Sequence, residues 1–195
     1  MQAKNGKTSS SPKNFLGPAL RKATLLTMLG AGIFSSESIQ AQTSKAIKDT
    51  LSVEKTSSQN PLIFANLNTL SSDQIIETMV EEINKIRQEY NLNSIRADER
   101  LCRAAQLHAE DMTKRKYFKH NSPEGITPEQ RIIKQKYIVL DYRENLATGF
   151  NINDVLHAWI MSKPHAQSIV RSNMEDIGVG YSDGKTVLLL GKEMK

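Results

Sequence analysis

The stretch Ile177-Gly-Val-Gly-Tyr181-Ser-Asp-Gly184-Lys-Thr-Val-Leu-Leu-Leu190 decides the fold class. Two runs of strand character flank Ser182-Asp183-Gly184, turn chemistry that closes a hairpin. The first run sets Gly178 and Gly180 between larger residues. Glycines inside a strand mark a place where another backbone comes close. The second run, Val187 to Leu190, has no polar face, so it is expected to be buried on both sides. A strand covered twice needs a layer of structure above and below it.

Helical patterns upstream supply those layers. Ser71 with Gln74 three residues on is a capping-box pattern, and Ile76, Met79, Val80, Ile83, Ile86 and Tyr90 recur at helical spacing. The first helix is expected to end near residues 91–93. Asp98 is expected to cap a second helix, to about Lys114, with Leu101, Ala104, Ala105, His108 and Met112 along one face. Thr127-Pro128-Glu129-Gln130 opens a short third helix, to about Lys136, with Pro at its first position and Gln reaching back. Tyr137–Leu140 and Glu144–Thr148 read as extended segments around a polar break. Asn151 or Asn153 caps a fourth helix carrying Val155, Leu156, Trp159 and Ile160, with Trp159 and Tyr181 expected as core anchors. Pro164 interrupts that helix, and a further turn or two follow from His165 to about Arg171. Helices first, then helices mixed with a few antiparallel strands, predict a layered α+β domain. No internal repeat is present.

The N-terminus has a different composition. Residues 1–22 carry Lys4, Lys7, Lys13, Arg21 and Lys22 and no acid, and the apolar run Ala23–Phe34 follows. Positive region, short apolar region and a small residue at Ala41 predict a secretory signal peptide over residues 1–41. An uncleaved anchor or a transit peptide is the alternative. The run falls short of the roughly 20 residues that span a bilayer. Residues 42–70 are polar and read as a flexible spacer, in which Pro61–Phe64 either belongs to the spacer or pads the domain surface. The domain itself is expected over residues 71–195. The location expected is secreted, extracellular or periplasmic, with no transmembrane span in the mature chain.

Removing residues 1–41 takes away five of the 26 basic and one of the 21 acidic residues, leaving 21 against 20. The net charge of +5 therefore belongs mostly to the leader, and a nucleic-acid partner, which needs a basic patch, is not expected. The single cysteine, Cys102, makes no internal disulfide and is expected to act as a small buried hydrophobe.

Three residues carry candidate chemistry. His120 precedes Asn-Ser-Pro-Glu-Gly125, a strong turn signal that leaves the imidazole available to a cleft or simply exposed. Glu144 enters an apolar stretch and needs a partner there: Arg143 or another surface cation, or else an imidazole or a metal. His165 sits at a helix start, where an imidazole tends to be neutral and suited to ligation or proton transfer. His108 faces the apolar side of its helix as a satisfied core residue, and His157 is read as a surface residue. No two histidines have a local zinc spacing, so any metal site must come from tertiary folding. Ser122 and Ser162 lie near histidines in sequence, but no nucleophile elbow is present.

Six blocks together resemble the CAP superfamily (cysteine-rich secretory, antigen 5 and pathogenesis-related proteins) in its short bacterial SCP-like form. They are Leu101–Met112, Tyr117–Gly125, Thr127–Ile132, Glu144-Asn-Leu-Ala147, Ala158-Trp159 through Ser162-Lys-Pro-His165, and Ile177–Tyr181, covering about Ser71 to Gly191. The resemblance implies a three-layer α-β-α sandwich with a small antiparallel sheet and a surface cleft. In many members two His and two Glu gather there. His120, Glu144 and His165 match three of them. The second glutamate has no match, and Ser162 stands at about its place. The family's disulfides are absent. The resemblance thus implies a cleft of His120, Glu144, Ser162 and His165, with His120 and His165 as candidate zinc (Zn2+) ligands and Glu144 as the candidate catalytic group.

Three functions are weighed. One is a secreted binding protein whose cleft takes a small molecule, lipid or peptide, with or without metal. The second is a metal-assisted hydrolase with Glu144 as base or ligand. The third is a cell-envelope interaction module whose polar cluster only stabilises the fold. The oligomeric state is left open.

Overall fold

The computed structural model describes residues 60–195. The signal peptide expected over 1–41 and spacer residues 42–59 lie outside them. Residues 60–70, the expected end of the spacer, pack on the domain as two 3-10 turns, Pro61–Phe64 and Leu67–Thr69, because Ile63 and Leu67 bury their side chains in the core. The surface-padding alternative describes this stretch.

The first helix, α1 (Ser72–Glu89), starts where its capping box predicts, with both reciprocal bonds between Ser71 and Gln74 formed. A two-residue strand, β1 (Arg96–Ala97), follows. Asp98 accepts from the N–H groups of Arg100 and Leu101 to start α2 (Glu99–Lys114). Thr127 and Gln130 form a second capping box at α3 (Pro128–Lys134). The two extended segments expected around residues 141–143 are one strand, β2 (Val139–Thr148), with a bulge between Val139 and Asp141. The polar break does not end it, because Asp141 takes hydrogen bonds from Arg143, Arg171 and Asn173. Asn151, rather than Asn153, caps α4 (Ile152–Ile160) by accepting from Asp154 N–H. Helix α5 (Lys163–Ile169) starts two residues before the expected His165, with Pro164 in its first turn. The hairpin β3 (Asp176–Ser182) and β4 (Lys185–Glu193) turns through Asp183 and Gly184, both at positive φ.

The sheet has the order β1-β3-β4-β2, so β4 is central. It is mixed rather than wholly antiparallel: β1 runs parallel to β3, while β3–β4 and β2–β4 are antiparallel. Hairpin-linked strands must be antiparallel, but β1 reaches β3 through several intervening elements, which permits a parallel pairing.

Both faces are covered as the apolar run predicts. Leu188 and Leu190 join Ile177 and Val179 against α1, α4 and α5. Val187 and Leu189 join Leu146 and Tyr137 against α2 and α3. Gly178 and Gly180 let α2 lie on the sheet: a Cβ at either would fall 2.2 or 2.3 Å from α2 main-chain carbon. Trp159 is fully buried and its Nε1–H donates to Leu146 O at 3.0 Å. Tyr181 is only half-buried, with its hydroxyl bonded to Asn68 and to the turn N–H of Gly184.

Arg87, at the end of α1, is fully buried. It donates to the carbonyls of Asn93, Ile169, Arg171 and Met174, at 2.9 to 3.4 Å. It thereby ties α1 to the chain leaving α5.

Candidate functional site

The site begins on α2. His108 is buried and its Nε2–H donates to Lys119 O at 3.0 Å, fixing the residue next to His120. The expectation of a satisfied core histidine holds. Burial, and secondarily the charge of Arg131, hold its imidazole below the ordinary value. Beyond His120 the chain turns at Ser122–Gly125, with Gly125 N–H donating to Ser122 O at 2.8 Å and Gly125 at φ +85°. Ser122 Oγ is occupied by Glu124 and by Ile126 N–H.

His120 and Glu144 meet. His120 Nδ1 lies 2.8 Å from Glu144 Oε1, and Arg131 Nη2 donates to Glu144 Oε2 at 2.6 Å. The carboxylate is 2% exposed, while the His120 side chain is 54% exposed. Arg131 Nη1 also donates to His120 O at 2.9 Å. One guanidinium therefore clamps the main chain of His120 and the carboxylate of Glu144 together. Arg131 had no assigned role in the sequence. The signal available was the need of a carboxylate in an apolar stretch for a cation. The nearer candidate, Arg143, pairs with Asp141 instead.

His165 stands apart from this contact. Its carbonyl accepts from Asn145 Nδ2 at 3.0 Å, which ties β2 to the start of α5. Burial first, and then the charge of His120, hold the His165 imidazole below its ordinary value. The direction is the expected one, although burial rather than the helix start leads it. His120 is pushed the other way, raised by its bond to Glu144. Ser162 serves as the N-cap residue of α5 and makes no side-chain capping bond. His157 is exposed. Cys102 is partly exposed rather than fully buried, in the wall of a separate groove between α1 and α2, and burial pushes its thiol up.

A cleft of about 510 Å³ opens beside the His120–Glu144 pair, lined by Asn121, Pro128, Glu129 and residues 139–144 of β2. It does not include His165 or Ser162. Among the described residues no three His, Cys, Asp or Glu side chains stand so as to hold a metal ion. The donor chemistry agrees. Both Glu144 oxygens are engaged, and the cation beside them is the fixed guanidinium of Arg131, which opposes a second cation. In this arrangement the residues do not fit a zinc ion.

Comparison with known proteins matches residues 80–188 to the family model of the cysteine-rich secretory proteins, CAP. The chain belongs to the CAP family. Among CAP relatives, it is 30% identical over 157 residues to the uncharacterised protein YkwD of Bacillus subtilis, covering 76% of this chain and 58% of that one. The chain thus spans less than two thirds of that relative's length. The CAP fold is shared with an outer surface protein of Borrelia burgdorferi (TM-score 0.59, 28% identity, 64% of this chain and 97% of that one). It is shared also with an SCP-domain extracellular protein of Bacillus anthracis (TM-score 0.59, 23% identity, 64% of this chain and 44% of that one). The α+β sandwich read from the hairpin and helices is the fold of these CAP structures. No helix among the described residues is long and apolar enough to cross a membrane.

Proposed function

We propose that this CAP protein is a secreted or cell-surface binding protein whose His120–Glu144 cleft holds a small organic or peptide ligand. The extracellular and outer-surface character of the similar proteins supports the location. One observation carries the binding reading over a hydrolase with Glu144 as its base: the Glu144 carboxylate is 2% exposed, with one oxygen held by His120 and the other by Arg131. A general base must reach the proton or water that it acts on, and a carboxylate this buried offers almost no surface to a substrate. Here the carboxylate orients an exposed imidazole beside a cleft, which leaves His120 available to a bound ligand.

The test is a thermal-shift screen of the full chain with peptides, sterols and zinc, repeated on His120→Ala. Stabilisation by an organic compound that His120→Ala abolishes supports the binding reading. Tight zinc binding that needs both His120 and His165, with no organic ligand, would favour the hydrolase instead.

A further inference from the structure

One wall of the cleft is a sheet edge. Strand β2 is outermost, and only its inner side pairs with β4. Which residues face outward follows from two bonds. Met194 N–H donates to Ile138 O at 2.8 Å, which turns the even-numbered residues of β4 towards β2. Through the register, Arg143, Asn145 and Ala147 then face Leu190, Leu188 and Thr186 as inward pairs. Tyr142, Glu144 and Leu146 accordingly aim their N–H and C=O outward. Trp159 Nε1–H donating to Leu146 O gives the same parity independently.

Trp159 of α4 closes this edge at Leu146, and the bulge between Val139 and Asp141 ends it on the other side. Arg143 Nη1 donates to Tyr142 O. Among the described residues nothing bonds the N–H of Tyr142 or either main-chain group of Glu144. This short open edge lies in the cleft, beside the half-exposed ring of His120, whose Nε2 makes no bond among the described residues.

We propose that the cleft takes an extended peptide segment, which adds to β2 as a short fifth strand across Tyr142–Glu144 and places a polar side chain against His120 Nε2. The inference rests on the binding reading above and names its ligand class. Outward N–H and C=O groups repeating at strand spacing are matched by another extended main chain, whereas an acyl chain or a sterol skeleton would leave them unpaired. His120, Asn121 and, at the start of α3, Pro128 and Glu129 line the same cleft as residues 139–144 of β2. The exposed side chains of Ile138 and Leu140, next to the bulge, offer apolar contact to the peptide as it leaves.

The test uses the full chain labelled for amide NMR. The probe is the pentapeptide acetyl-Thr-Val-Asp-Val-Thr-amide, with two versions N-methylated at alternate residues. The unmodified peptide should slow exchange of the Tyr142 and Glu144 amides by about tenfold or more at saturation. At least one methylated version should fail to bind, because one face of an extended chain supplies the bonds. Tyr142→Pro removes an outward N–H without breaking an inward bond, and should weaken binding by about tenfold while the protein still melts cooperatively. Peptide binding with unchanged exchange at Tyr142 and Glu144, or equal binding of both methylated versions, overturns strand addition and leaves cleft binding intact. No binding of the probe at millimolar concentration overturns it as well. If the ligand screen on the cleft is also empty, the broader reading falls with it.

Discussion

Gly180→Ala tests the closest contact in the fold. An added Cβ would sit 2.3 Å from Ala105 C and Gln106 N, both main-chain atoms of α2. Carbon atoms rest about 3.5–4.0 Å apart, so α2 would have to recede from the sheet by roughly 1 Å. That movement loosens Leu101, Ala105, Ala109 and Met112, which are fully buried between helix and sheet. Overpacking of a core costs about 1–3 kcal/mol, and main chain cannot swing aside as a side chain can. We expect about 3 kcal/mol, the upper end of that range, out of a total stability of order 5–15 kcal/mol. Gly178→Ala meets the same helix at Leu101 and Cys102, 2.2 and 2.5 Å away. The double variant should cost less than the sum, because the second methyl enters space the first has opened. Urea unfolding followed by Trp159 fluorescence measures this as a shifted midpoint at constant slope. Gly125→Ala is the control: it lies at φ +85° with nothing within 4 Å of the added Cβ, so it carries backbone strain alone, about 1–2 kcal/mol. A Gly180→Ala cost no larger than that of Gly125→Ala, or full additivity of the pair, would refute the close-approach argument.

Glu144→Ala strands the guanidinium of Arg131, only 11% exposed; loss of about 3–5 kcal/mol is expected, with part regained in Arg131→Ala/Glu144→Ala, and a double-mutant cycle reads the coupling. Arg87→Met leaves four carbonyls without their donor and should cost about 3 kcal/mol by thermal unfolding; a neutral result would mean that the cost of burying the charge cancels its bonds. His120 and His165 should titrate apart by proton NMR, His120 above and His165 below the ordinary imidazole value, and Glu144→Gln should bring His120 down; the reverse order would contradict the geometry. Because the folded value of His120 is raised, its contribution to stability is complete below about pH 6.5 and is lost as pH rises through the raised value. The stability difference between the protein and His120→Ala should therefore be larger near about pH 6 than near about pH 8.5.

The helix starts were legible because capping is local. Ser71, Asp98 and Thr127 each satisfy N–H groups two or three residues away. Asn151 and Asn153 looked alike, and only tertiary burial of Asn153 separates them. The doubly covered β4 was legible from its unbroken apolar run. What a local pattern could not show was β1, two residues long and defined only by its partner β3, or the continuity of β2 through Asp141 and Arg143. Arg143 pairs with Asp141, whose carboxylate also accepts from Arg171 and Asn173, some thirty residues downstream. The His120–Glu144 contact joins residues 24 apart and was approached through family resemblance. Arg131 was missed because its partner is set by how α3 lies against β2, a tertiary fact.

The central place of β4 has a consequence for how the chain matures. Among the described strands it is the last in chain order, yet it must lie between β3 and β2. Until residues 185–193 arrive, β2 and β3 have no common neighbour, and the apolar surfaces of α1 and α2 have no shared sheet to close on. The domain therefore cannot consolidate piecemeal behind its own synthesis. Its contacts join distant segments, which favours slow, late closure. A chain stopped before Lys185 should be degraded as an unfolded polypeptide rather than persist as a smaller domain.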